Sequence, residues 1–212
     1  MSNRIAFFSD AEDLIETFDL DTPGEVIFEA HYNISRGHHI PVITEKNDVL
    51  TVGRLRWGKE FEKEGSIPEK ADEKSLKEMD QSALRRAIIP ISGFYIWKDE
   101  AKKDHPFFVR KIDNTLLYVA AFTFRSDKDE YTYSEMIMTE ANTLIAPISN
   151  SMPLLLKEAL SKDWLKGNIA ANKILKEAGS QFLITELTVH RVTKEVKDPS
   201  KNEKSLIQPI PK

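Results

Sequence analysis

IIPISGFYIWK, residues 88–98, is the stretch whose reading decides the fold. Pro90 cannot donate to a strand ladder and Gly93 permits a turn, so the segment predicts a loop, a glycine turn and then a strand. In that strand Phe94 and Ile96 point one way and Tyr95 and Trp97 the other. The first face is core. The second presents two amphipathic aromatics and predicts a surface on which something flat could stack. A strand buried on both sides is the competing reading.

Outward from this segment, residues 84–89 return to the core and carry Arg85-Arg86, while 106–111, 115–124 and 133–138 read as further strands. Residues 40–44 and 48–57 predict a strand pair around the polar turn Lys46-Asn47-Asp48. Before them, 27–32 reads as a strand leading into Asn33-Ile34 and a loop at 35–39. Helices are predicted from Ser9 or Asp10 to Phe18, over 161–165, and over 169–178 with Gly179 as the stop. A turn of helix at 142–146 ends at Pro147, and 183–196 reads as a last strand pair. Residues 59–80 are almost wholly polar and predict a solvated excursion; residues 199–212 predict an extended, loose polar tail after a domain of residues 1–198.

Composition narrows the function classes. At 212 residues and 41% hydrophobic content the chain buries one good-sized core, and nothing demands a second domain. With no cysteine, disulfides, thiolate metal sites and a cysteine nucleophile are excluded. The first residues lack a secretory pattern and no apolar run approaches a membrane span, so a cytoplasmic protein without membrane contact is expected. A net charge of −4 argues against an overall basic coat, while 30 Lys and Arg leave room for a local basic groove. His31, His38 and His39 bring a metal to mind, but adjacent strand histidines point to opposite faces and no carboxylate sits at ligand spacing, so no metal and no cofactor is expected. Nucleotide-loop and hydrolase signatures are absent.

Several short motifs, read together, are more specific. Ser2-Asn3-Arg4, Tyr32-Asn33-Ile34, Pro41-Val42-Ile43, Arg56-Trp57-Gly58, Arg85-Arg86, Gly93-Phe94-Tyr95 with Trp97-Lys98, Thr139-Glu140-Ala141-Asn142 and Met152-Pro153 fall in one order and spacing. The chain resembles the SRAP family, the SOS-response-associated peptidases or abasic-site-processing proteins, over residues 2 to about 198. The resemblance implies a single α+β domain on a curved, mostly antiparallel sheet with a barrel-like core, peripheral helices and a groove for single-stranded DNA. It also implies a chemistry. Removal of Met1 frees an N-terminal cysteine whose amine and thiol capture the aldehyde of a ring-opened abasic site as a thiazolidine, aided by an asparagine, a strand glutamate and a loop histidine.

This sequence departs at those positions. The cysteine is Ser2, the strand glutamate is Ile96, the loop histidine is Ser149, and the loop arginine is Ser151. The asparagine segment can only be laid over residues 69–73, where no asparagine stands. A serine hydroxyl is a far weaker nucleophile than a thiolate, although the Ser2 amine could still form an imine once Met1 is removed. An apolar Ile96 cannot move protons. The resemblance therefore implies a pseudoenzyme of the DNA-damage response that keeps a DNA groove and loses or weakens the crosslink. Arg4, Asn33, Arg54, Arg56, Arg85, Arg86 and Ser151 are the candidates to meet the backbone, and Trp57 and Trp97 to stack on bases. Each arginine has a surface ion pair as its alternative role, and each tryptophan ordinary core packing. A protein-interaction domain without DNA contact is the competing function. Peptidase activity, which the family name carries, finds no triad here.

Overall fold

The computed structural model describes residues 4–21, 28–58, 70–80, 84–100, 103–125, 132–181 and 184–210. Ser2 and residues 59–69 lie outside them, and of the segment 69–73 over which the family's asparagine motif was laid only residues 70–73 are described. In chain order the strands are β1 (Arg4–Phe7), β2 (His31–Ser35), β3 (His39–Lys46), β4 (Val49–Trp57), β5 (Arg85–Ile91), β6 (Gly93–Glu100), β7 (Lys103–Lys111), β8 (Leu117–Arg125), β9 (Thr132–Met136), β10 (Met138–Glu140), β11 (Ser151–Pro153), β12 (Leu155–Leu156) and β13 (Leu187–Arg191). The helices are α1 (Ala11–Phe18), α2 (Glu73–Asp80), α3 (Glu158–Leu165) and α4 (Ile174–Gln181).

Residues 88–91, expected to be a loop before the glycine turn, are strand, the second half of β5. Ala87 to Ile91 are all buried, as befits a central strand covered on both faces. Pro90 fits because β5 pairs with β3 only through Ala87 and Ile88, so the proline falls where β3 no longer asks for a ladder donor. Ser92 alone separates β5 from β6; its N–H donates to Ala6 O and its hydroxyl accepts from Phe8 N–H. Gly93 is therefore not a turn glycine, and its φ is not positive. It is required by close approach across β6 and β7: a Cβ there would lie 2.3 Å from the Phe108 ring and 2.6 Å from Val109 O.

Strand β9 closes the larger sheet. It pairs parallel with β4 and antiparallel with β8, so β8-β5-β3-β4-β9 forms a closed ring, with β12 added to β8. Helix α3 covers one side, where Trp164 donates its indole N–H to Ala87 O at 3.0 Å and meets Phe122 edge-on. The five-stranded sheet β13-β7-β6-β1-β2 packs on the ring and shares its apolar core through Ile5, Ile34, Phe94 and Ile96. The expected α+β fold with a barrel-like, mostly antiparallel core is the fold observed.

The far face of β6 is the main departure from expectation. Tyr95 is fully buried and lies in a second apolar cluster with Ala6, Phe108, Val192, Val196, Leu206 and Ile207, against which Trp97 is half-buried. The cover comes from the end of the chain. Residues 204–207 form a short 3-10 turn that buries Leu206 and Ile207, and Ile210 N–H donates to Arg191 O. The expected stacking surface is thus the underside of a C-terminal strap, and the segment expected to be loose is packed. Burial pushes the Tyr95 phenol well above its usual pKa, while its hydroxyl donates to Tyr32 O at 2.6 Å.

Other expectations shift by less. The polar excursion ends in α2, an amphipathic helix that buries Leu76 and Met79. Asn33 and Ile34 lie within β2, and helix α4 runs past Gly179. The predicted final strand pair is one strand, β13, flanked by 3-10 turns. The helical turn expected at 142–146 is a single one: Ala146 N–H donates to Asn142 O at 2.8 Å, and turns continue to residue 148.

Candidate functional site

The two sheets are joined through the short connection Arg36-Gly37-His38 between β2 and β3, and Arg4, Arg54 and Arg56 of the predicted cationic residues gather around it. Gly37 adopts φ +94°, a conformation that favours glycine, and its N–H donates to Trp57 O at 2.7 Å. Trp57 N–H returns a bond to His38 O at 2.8 Å, which ties the connection to the end of β4. On one side Arg4 lies opposite Ser35 in the β1–β2 pair. On the other, Arg56 pairs with His39 of β3 and Tyr133 of β9. Strand β1 also pairs with β6 through Ile5 and Phe94, and its antiparallel direction points its amino-terminal end towards Ile96. The N-terminal strand and the GFYIWK strand are therefore neighbours.

An ion pair that sequence reading missed sits at this joint. Arg36 donates from both terminal nitrogens to Glu135 of β9, at 2.8 and 2.5 Å, with side-chain exposures of 35% and 13%. Burial holds the Glu135 carboxyl above the usual carboxylate range, opposed by the charge and hydrogen bonds of Arg36. The Trp57 indole N–H is turned to the same carboxylate but makes no hydrogen bond of ordinary geometry among the described residues. Gly58, at φ +80°, leaves room for the guanidinium; a Cβ there would lie 2.8 Å from it. The one available signal was Glu135 itself, a lone acid in the otherwise uncharged strand TYSEM.

Two histidines complete the joint. The rings of His31 and His38 meet edge-on at 5.2 Å, and His31 Nδ1 accepts the Asn33 N–H, which requires the unprotonated nitrogen. Burial, then the neighbouring His38, lowers the His31 pKa. Among the described residues no group of three or more His, Asp or Glu side chains gathers as a metal ion would need.

The remaining predicted residues divide. Asn33 is fully buried and donates from Nδ2 to Asp198 O at 2.8 Å, so the C-terminal strap holds it. Arg4 donates to Lys197 O of the same strap at 3.3 Å; burial lowers its pKa and Asp198 partly offsets this. Arg54 is exposed on β4 with its guanidinium 5.4 Å from the Phe28 ring centre. Trp57 is 1% exposed, so core packing takes the place of the expected base stacking. Trp97 keeps only part of its surface, packed beside Tyr95 at 6.4 Å.

Arg86 is committed to the fold. It is bidentate to Asp80 at 2.8 Å, donates to Trp164 O and Ile169 O, and stacks 4.5 Å from the Trp164 ring centre. Arg85 is exposed and stands across the ring from the connection: it pairs with Thr123, Thr123 with Ser134 and Ser134 with Trp57, three strand spacings or about 14 Å at ~4.8 Å each. Arg4, Asn33, Arg54 and Arg56 are thus brought to the connection between the sheets, Arg85 stands three strands away in the ring, and Arg86 is turned to Asp80 and Trp164.

Of the positions that carry chemistry in the resemblance, Ile96, Ser149 and Ser151 lie among the described residues. Ile96 is 1% exposed within the main core. Ser149 donates its hydroxyl to Ser151 O at 2.9 Å and accepts the Ser151 N–H at 3.3 Å, so the Ser149 side chain is held by the Ser151 backbone beside β11. Ser2 lies outside the described residues.

Comparison with known proteins agrees with this architecture. Residues 1–199 match the model of the SRAP family, described as SOS response associated peptidase. The chain is similar to the abasic site processing protein YoqW of Bacillus subtilis, at 27% identity over 98% of this chain and 99% of that one. It is likewise similar to the abasic site processing protein YedK of Escherichia coli, at 23% over 99% and 100%. A crystal structure of a protein from Bacteroides thetaiotaomicron superposes with TM-score 0.72 at 17% identity, covering 98% of this chain and 99% of that one. With its family model matched over almost the whole length and the barrel-like fold in place, this chain belongs to the SRAP family.

Proposed function

We propose that this SRAP-family chain binds single-stranded or abasic-site DNA in a cytoplasmic DNA-damage response without a durable covalent crosslink. The observation that carries the proposal is Ile96: an apolar, fully enclosed side chain stands on the strand beside the amino-terminal one, where the resemblance implies a glutamate. No proton can be moved there, and Ser149 is tied to Ser151. Binding is a different matter. Arg4, Arg54 and Arg56, with Arg36, are cations around one joint, and neutralising phosphates needs only charge and reach. The relatives named for abasic-site processing support DNA as the partner.

The test uses labelled single-stranded DNA with one abasic site. The expected result is salt-dependent binding in anisotropy titrations and no heat-resistant adduct on a denaturing gel; a stable adduct would refute the reading. Borohydride trapping of protein with Met1 removed separates a transient Ser2 imine from binding alone. A second reading, a protein-interaction domain without DNA contact, draws on the burial of Trp57 and the commitment of Arg86 to Asp80. Salt-dependent oligonucleotide binding counts against it, and its absence favours it.

A further inference from the structure

Arg36 and Arg86 are both bidentate to a carboxylate, yet their situations differ. Arg86 is held by Asp80, by two backbone carbonyls and by the face of Trp164, and such a guanidinium is part of the scaffold. Arg36 lies on the bare connection between β2 and β3, keeps about a third of its side chain exposed, and donates among the described residues to Glu135. It also has company. A Cβ at Gly37 would lie 3.8 Å from a terminal nitrogen of Arg56, so the side chains of residues 36 and 56 flank the same glycine, with Arg4 opposite the preceding Ser35.

Two parallel N–H···O bonds from the terminal nitrogens of an arginine suit a carboxylate and a phosphate equally, because both present paired oxygens at similar spacing. Glu135 is a poor purely structural partner for this arginine. Burial raises its proton affinity against the pull of the bidentate Arg36, so the pair is held less firmly than its geometry alone suggests. Glycine at position 58, at φ +80°, keeps the space in which the guanidinium sits.

We propose that Arg36 is a phosphate-binding residue of the DNA surface and that Glu135 is an internal competitor, occupying its fork until a phosphodiester displaces it. The inference rests on the DNA-binding reading above and adds to it the residue that gates affinity. In this state the connection between the sheets is self-neutralised, and DNA must exchange one anion for another.

The experiment compares wild type, E135Q, R36Q and R36Q/E135Q by anisotropy titration of a labelled single-stranded oligonucleotide across a range of salt. With the competitor's charge removed, E135Q is expected to bind about tenfold more tightly at an unchanged salt slope, since a phosphodiester reaches Arg36 in both proteins. R36Q/E135Q should lose that gain, and its plot of log K against log salt should flatten by about 0.7, one phosphate contact fewer on a single strand. Equal affinity for E135Q and wild type overturns the gating while leaving DNA binding in place. Absence of salt-dependent binding in all four proteins overturns the DNA reading and this inference with it. Should E135Q fail to fold, the Arg36 side-chain NMR signal of wild type decides: it moves on oligonucleotide addition, or the proposal is wrong.

Discussion

Restoring the family's residue in Ile96→Glu tests the claim that the chemical position has become core. Ile96 is 1% exposed and packs in the main cluster with Phe94 and Val109. Losing its buried hydrocarbon costs about 1.5–3 kcal/mol. Enclosing even a neutral carboxyl without a partner adds about 1–3 kcal/mol. Ionisation then adds a pH-dependent part. A buried, unpaired glutamate has its folded pKa raised above its unfolded value of about 4.3, by as much as 3–5 units. The folded state therefore holds a proton that the unfolded state releases, so stability relative to wild type falls as pH rises from the unfolded towards the folded pKa, by about 1.4 kcal/mol per unit. Urea denaturation of both proteins at pH 4, 6 and 8 reads this directly. A loss of at least about 2.5 kcal/mol at pH 4 that grows with pH is expected. A variant as stable as wild type at pH 8 would refute the reasoning, because it would mean that position 96 is hydrated or paired and that a polar pocket survives.

Two further substitutions probe the frame around it. Gly93→Ala places a Cβ against the Val109 carbonyl and the Phe108 ring, and since a backbone carbonyl cannot step aside, it should cost about 3 kcal/mol, or about 6–12 °C in Tm by calorimetry; a shift under 2 °C contradicts the close approach. Leu206→Ala removes a fully buried side chain from the strap over Tyr95 and should cost about 2–4 kcal/mol in urea titration, whereas a loose tail would give no change.

Local pattern carried a good part of this protein. The alternation of residues 94–97 assigned Phe94 and Ile96 to one face and Tyr95 and Trp97 to the other, because side-chain direction in a strand is fixed by the backbone and needs no partner to be known. The β3–β4 pair was equally legible from its polar turn, where Asn47 and Asp48 take positive φ. Motif order sufficed for the family, and with it the fold.

Tertiary structure decided what covers each face and what each charge meets. Leu206 and Ile207 close over Tyr95 from more than a hundred residues away in sequence, and Glu135 reaches Arg36 across 99 residues. Arg36 and Arg86 look alike in sequence; only packing makes one a scaffold bolt and leaves the other half-open beside a carboxylate. The physical reason is the same in each case. Direction along an element is a local property of φ and ψ, whereas burial, pairing and proton affinity belong to whatever distant chain the fold brings alongside.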